Sequence, residues 1–129
     1  MTGGGKFTDG TTTVTHGFVL HCVPSRTPNN LEVNWGTGNK FHLGSLTSAN
    51  CFEGAPPSEG QPVAGFNTYV GSGTGSLNGV SGATAAWTFT DHGEPGTNDT
   101  AEIHIKDQHG NPVLDVNPTL FNGNHQAHP

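Results

Sequence analysis

Charge is scarce in this chain. Asp, Glu, Lys and Arg make up 11% of its 129 residues, against about 25% in an ordinary globular protein. The four basic residues, Lys6, Arg26, Lys40 and Lys106, lie far apart in sequence, so no basic patch is offered to nucleic acid or to an anionic membrane surface. Long apolar runs are missing as well. No stretch approaches the ~20 residues needed to span a bilayer as a helix, which argues against membrane insertion. The opening Met1-Thr2-Gly3-Gly4-Gly5 has no apolar core of a signal peptide. Helical periodicity is absent: no segment keeps a 3.6-residue apolar repeat over three turns. Val, Ile, Leu and Phe supply only about one-fifth of the chain, near the level at which disorder becomes a concern. Those residues alternate with polar ones, however, and the net charge of −6 is too small to swell the chain.

What is present reads as short β-strands. Thr11 to Val23 places Val14, His16, Phe18, Leu20 and Cys22 on one face and Thr13, Thr15, Gly17, Val19 and His21 on the other. Pro24 to Asn30 is a turn, and residues 31–46 form a hairpin in which Leu31, Val33 and Trp35 alternate with Glu32 and Asn34. Glu53 to Pro62 is a loop, and Gly65 to Val70 resumes as strand. Gly71 to Gly82 is either a bulged glycine-rich strand or a flap. Ala85, Trp87 and Phe89 form the inward face of one strand, Ala101, Ile103 and Ile105 that of its partner, and a further strand follows at Pro112 to Val116. The expectation is a single all-β domain: an antiparallel β-sandwich or partly closed barrel of seven to nine short strands with long glycine-rich loops. Residues 1–10 are expected to be a flexible N-terminal segment, 11–116 the β domain, and 117–129 an irregular tail.

Cys22 and Cys51 are the two cysteines, and neither belongs to a CxxC or lies at zinc-finger spacing from a histidine. A disulfide between them would contribute about 3.5 kcal/mol in the chain-entropy model and implies an extracellular or cell-surface setting. Two buried thiols acting as small hydrophobes are the alternative.

Carboxylates gather in the stretch from Thr90 to Asp107. Asp91, Glu94 and Asp99, with the Asn98 amide and loop carbonyls, are the oxygen donors that Ca²⁺ prefers, so calcium is the candidate cofactor. Local turn chemistry, with Asp91 and Asp99 accepting backbone N–H bonds, is the competing reading. Eight histidines are present, without HxH or HExxH spacing. They read as scattered imidazoles, with His16 a hydrogen-bonded core residue and the pair His125 and His128 an adventitious metal binder. Asn98-Asp99-Thr100 is a glycosylation sequon.

Catalytic signals are weak. Gly71-Ser72-Gly73 is not a nucleophile elbow, the following glycines complete no phosphate-binding loop, and no carboxylate pair is marked out for hydrolysis. Trp35 and Tyr69 are candidates for stacking on a sugar, although Trp35 also suits a core position beside Leu31 and Val33.

Several segments in order carry a resemblance: Thr15-His16-Gly17-Phe18, Gly73-Thr74-Gly75-Ser76-Leu77-Asn78-Gly79-Val80, Trp87-Thr88-Phe89-Thr90-Asp91-His92-Gly93-Glu94-Pro95-Gly96, Asp99-Thr100-Ala101-Glu102-Ile103-His104-Ile105, and Gly110-Asn111-Pro112-Val113. Together, over about residues 3–116, they resemble the post-COAP-type domains of secreted bacterial proteins. Ala101 and Glu102 stand where that pattern usually has an aromatic and a basic residue, and Leu114-Asp115 replaces Val-Tyr. The resemblance implies an extracellular β domain joined to other surface modules, and no catalytic residues. The resulting expectation is a non-catalytic structural or interaction module of a secreted or cell-surface bacterial protein. Its partner is an unknown surface or matrix component or a second copy of itself, with no nucleic acid involved. A carbohydrate-binding module and a small metal-dependent hydrolase are the alternatives.

Overall fold

Alternation carries the apolar side chains to one face of each strand. The computed structural model shows nine strands in one antiparallel sheet: β1 (Thr2–Asp9), β2 (Thr12–Val19), β3 (Asn30–Trp35), β4 (Asn39–Phe52), β5 (Thr68–Leu77), β6 (Val80–Thr90), β7 (Thr100–Lys106), β8 (Pro112–Leu120) and β9 (Asn122–Gln126). The structure describes residues 1–53, 66–91, 99–120 and 122–128, with the backbone alone for 117–120; among these there is no helix. The expected all-β class is what forms.

Strand order is β8-β7-β6-β5-β4-β3-β2-β1-β9. Every step is a hairpin between sequence neighbours except the last, where β9 returns to pair with β1. Strands β8 and β9 therefore stand at opposite ends of the ladder, yet one residue separates them in the chain. The sheet must curl to bring its ends together, although the hydrogen-bonded ladder is not closed into a barrel. Ring contacts measure the curl. Phe18 on β2 stacks on Phe89 of β6 with centroids 4.4 Å apart, although four strand steps in a flat sheet would hold them about 19 Å apart.

The enclosed core includes Val14 and Phe18 of β2, Leu31, Val33 and Trp35 of β3, and Phe41 and Leu43 of β4. From the other side come Trp87 and Phe89 of β6 and Ile103 and Ile105 of β7. Strand β5 contributes Tyr69 and then three inward glycines, Gly71, Gly73 and Gly75. The reason is steric: Gly71 pairs with Trp87, and a Cβ added there would lie 2.8 Å from three atoms of the indole. The glycine-rich stretch is thus a strand in which the missing side chain of Gly71 makes room for Trp87, and those of Gly73 and Gly75 let the β4 backbone at Ser45 and His42 approach. It ends in a two-residue turn at Asn78 (φ 52°) and Gly79 (φ 84°), the geometry for which Asn-Gly is the favoured hairpin sequence.

Cys22 and Cys51 form the expected disulfide, with an S–S distance of 2.00 Å, tying the segment after β2 to the end of β4. Tyr69 reinforces the same junction by donating its hydroxyl to the His21 carbonyl at 2.7 Å.

Two segments differ from expectation. Residues 2–9, expected as a flexible lead, form β1 between β2 and β9. Residues 122–126, expected within an irregular tail, form β9. Apolar alternation does not reveal either strand: on β1 the inward positions before Phe7 are Gly3 and Gly5, and on β9 they are Gly123 and His125. Glycine here permits close approach: a Cβ on Gly4 would lie 2.7 Å from the His16 carbonyl oxygen.

Gly71→Val should lower stability by about 1–3 kcal/mol, because the new side chain and the indole of Trp87 compete for one volume. Urea unfolding checks this, and an unchanged midpoint would contradict the steric account of the glycine row.

Candidate functional site

The acidic residues singled out in the sequence lead to a buried polar knot. Asp91 follows β6 and Asp99 precedes β7; both are buried. An Oδ2 of Asp99 accepts the backbone N–H of His125 at 2.7 Å, and an Oδ2 of Asp91 accepts that of Ala127 at 2.9 Å. These donors are two residues apart, so they leave β9 in the same direction, and the two carboxylates cap it where a neighbouring strand would otherwise pair. A hard cation binding at Asp91 and Asp99 would have to compete with both N–H groups. Glu94, the third expected calcium ligand, lies outside the described residues, as do Asn98 and His92. Among the described residues, no group of three or more His, Cys, Asp or Glu side chains is placed to share a metal ion.

His125 completes the knot. Its Nδ1 lies 2.9 Å from the Thr90 carbonyl oxygen, which can only accept, so Nδ1 carries the proton. The neutral ring then presents a lone pair at Nε2, and His16 donates its Nε2–H there at 2.8 Å. Phe18 meets the edge of His125 at a centroid distance of 5.0 Å, and Phe89 lies 5.0 Å away on another side. Burial pushes the pKa of His16 down to about 4 against a smaller opposing effect of the Gly5 backbone. That of His125 falls to about 3, through burial first and then the charge of His16, with the Thr90 carbonyl opposing. His16 is the core histidine its position suggests. His125 is not a tail residue available to metal but a fully buried side chain. Sequence reasoning missed it because nothing in Asn-Gly-Asn-His-Gln shows an apolar face.

A second arrangement lies on the outer face of β7 and β8. His104 holds Glu102 through Nε2 and Asp115 through Nδ1, each at 2.8 Å. The hydrogen bonds it donates to Glu102 and Asp115 raise its pKa, and the group is half-exposed, as its alternation with Glu102 and Lys106 suggests.

The third is a trough of about 520 Å³ on the outer face of β2, β3 and β4. Its floor is Gly17, where an added Cβ would meet nothing within 4 Å. Across from Gly17 on β3 stands Glu32, and across from Glu32 on β4 stands His42. Glu32 Oε1 lies 3.0 Å from His42 Nδ1 and 3.8 Å from Lys40 Nζ. These exposed pairs fix the carboxylate's direction more than they stabilise the fold. Asn30 and Asn34 flank Glu32 on β3, while Thr15 and Val19 flank Gly17 on β2. Trp35 and Tyr69, the sugar-stacking candidates, are 7% and 0% exposed; packing in the core leaves neither with a free ring face.

Compared with protein-family models, curated proteins and solved structures, the chain matches none.

The histidine pair makes stability acid-sensitive. Both folded-state values lie below the ordinary 6.5, so the contribution is complete above the unfolded value and is lost as pH falls towards the folded values. Between about pH 6 and pH 4.5 the unfolded chain holds close to two protons that the folded chain largely refuses, so stability falls by roughly 2–3 kcal/mol per pH unit. His104 has the opposite sign: its contribution is present below 6.5 and lost as pH rises through its raised value, so it does not shape the acid limb. Urea midpoints at pH 6.0 and 4.5 check the slope. An NMR titration placing His125 near 6.5 in the folded protein would refute its cause.

Proposed function

We propose that the chain is a non-catalytic interaction module of a secreted or cell-surface bacterial protein, the role its resemblance to post-COAP-type domains implies. The observation that carries this reading is how its polar groups are divided. Those inside tie strand to strand: Cys22 to Cys51, Asp91 and Asp99 to β9, His16 to His125. Those over β2–β4 are divided: Glu32 is held from β4 by Lys40 and His42, and its neighbours are left open. The side chains of Thr15, Asn30 and Asn34 make no hydrogen bond among the described residues, and they surround an open floor. One oriented carboxylate and unengaged polar side chains beside free space suit recognition.

The disulfide supports an oxidising setting. Of the residues lining the trough, Glu32 is the one carboxylate, whereas carboxylate-based glycoside hydrolysis uses a facing pair. Self-association is a second reading, favoured by the outer face of β5 and β6, where Val70, Thr74, Thr84 and Ala86 are exposed without a charged neighbour on either strand.

The oxidised protein should co-sediment with isolated bacterial cell walls while releasing no new reducing ends. Release of soluble fragments would overturn the non-catalytic reading; a protein left in the supernatant would overturn the wall as its partner. Reduction of Cys22–Cys51 should lower unfolding stability by about 3.5 kcal/mol; equal urea midpoints with and without reductant would remove the support the disulfide lends to an oxidising setting.

A further inference from the structure

We propose that the trough over Gly17 binds a neutral oligosaccharide, an assignment that rests on the interaction-module reading and gives it a ligand class. Asn30, Glu32 and Asn34 alternate along β3 and share its outer face. Steps of two residues space them by about 6.8 Å, an amide–carboxylate–amide comb about 14 Å long. Amides both donate and accept, as sugar hydroxyls do, and a carboxylate accepts from two hydroxyls at once.

Charge selects against other ligands. An anion entering over Gly17 meets the Glu32 carboxylate, and for a cation the attraction of that carboxylate is offset by Lys40, 3.8 Å away on the β4 side. A neutral, hydroxyl-rich chain meets neither mismatch. Val19, 39% exposed, offers an apolar surface to the C–H face of a ring. The trough's volume of about 520 Å³ falls within the range of about 300–1,000 Å³ usual for small-ligand sites. With no aromatic platform, affinity rests on a few hydrogen bonds and is on the order of 1 mM.

Gly17 supplies a clean test. A side chain added there enters empty space, and a β-branched residue suits a strand, so Gly17→Thr should fold normally while occupying the trough floor between Glu32 and the flanking residues of β2. Labelled protein is titrated with cellotriose, maltotriose and chitotriose, with an oligogalacturonate as the anionic counterpart. At least one neutral trisaccharide should give saturable amide shifts at Gly17, Glu32, Asn34 and His42. Affinity should fall about tenfold or more in Gly17→Thr and about fivefold in Asn34→Ala, the loss of one hydrogen bond, with unfolding midpoints unchanged. No saturable shift at these amides with any of the three, or shifts that persist in Gly17→Thr, would overturn the proposal, and tighter binding of the oligogalacturonate would overturn its neutral class. Co-sedimentation with cell walls separates the two readings: if Gly17→Thr sediments as the wild type does, the module reading stands and the trough is not its sugar site.

Discussion

The hydrogen bond between His16 and His125 sits where the two ends of the strand ladder meet. An antiparallel sheet built hairpin by hairpin leaves two edges, and here both belong to one nearly continuous stretch of chain, β8 and β9. Bringing that stretch across to β1 places its polar residues inside. A buried imidazole without a partner would cost several kcal/mol, and a lone buried charge more. The structure answers with a connected set: His16 donates to His125, His125 donates to Thr90, and Asp99 and Asp91 accept from the backbone of β9 and its extension. Such a network specifies one arrangement, because its bonds are made together only when β2, β6, β7 and β9 are all in place.

The curl also sorts the glycines. Inside β5 they admit the indole of Trp87 and the backbone of β4; in β1 they let β2 and β9 approach; at Gly17 on the outer face one opens a trough. Aromatic stacking of Phe18 on Phe89 then fixes how far the sheet folds over, and Cys22–Cys51 pins the β2 end to β4. Core and candidate site are thus two faces of the same strands. Inward Val14, His16 and Phe18 position outward Thr15, Gly17 and Val19, and inward Leu31, Val33 and Trp35 position outward Asn30, Glu32 and Asn34.

The parts of the fold that rest on hydrophobic alternation were legible in the sequence: the inward faces of β2, β3, β6 and β7, the core placement of Trp35, and the buried character of His16. Strands β1 and β9 were not, since apart from Phe7 their inward positions are held by glycine and histidine, and no two-residue apolar period survives. The density of carboxylates around Asp91 and Asp99 was visible, but not its use, because the N–H groups they accept come from residues 125 and 127, far along the chain. The trough needed strand register as well: nothing in the sequence places Gly17 opposite Glu32, or Glu32 opposite His42. Trp35 and Tyr69 drew attention for their chemistry, and burial removes them from any surface role.

The central claim is that β9 is held as firmly as the core by two buried carboxylates and one imidazole. Native-state hydrogen exchange tests it most directly, read at the amides of His125 and Ala127. Exchange as slow as that of the β6 and β7 amides at Phe89 and Ile103, occurring only through global unfolding, is the expected result. Exchange at the rate of a fraying terminus, while Phe89 and Ile103 stay protected, would show that β9 is an appendage and that the knot does not close the sheet.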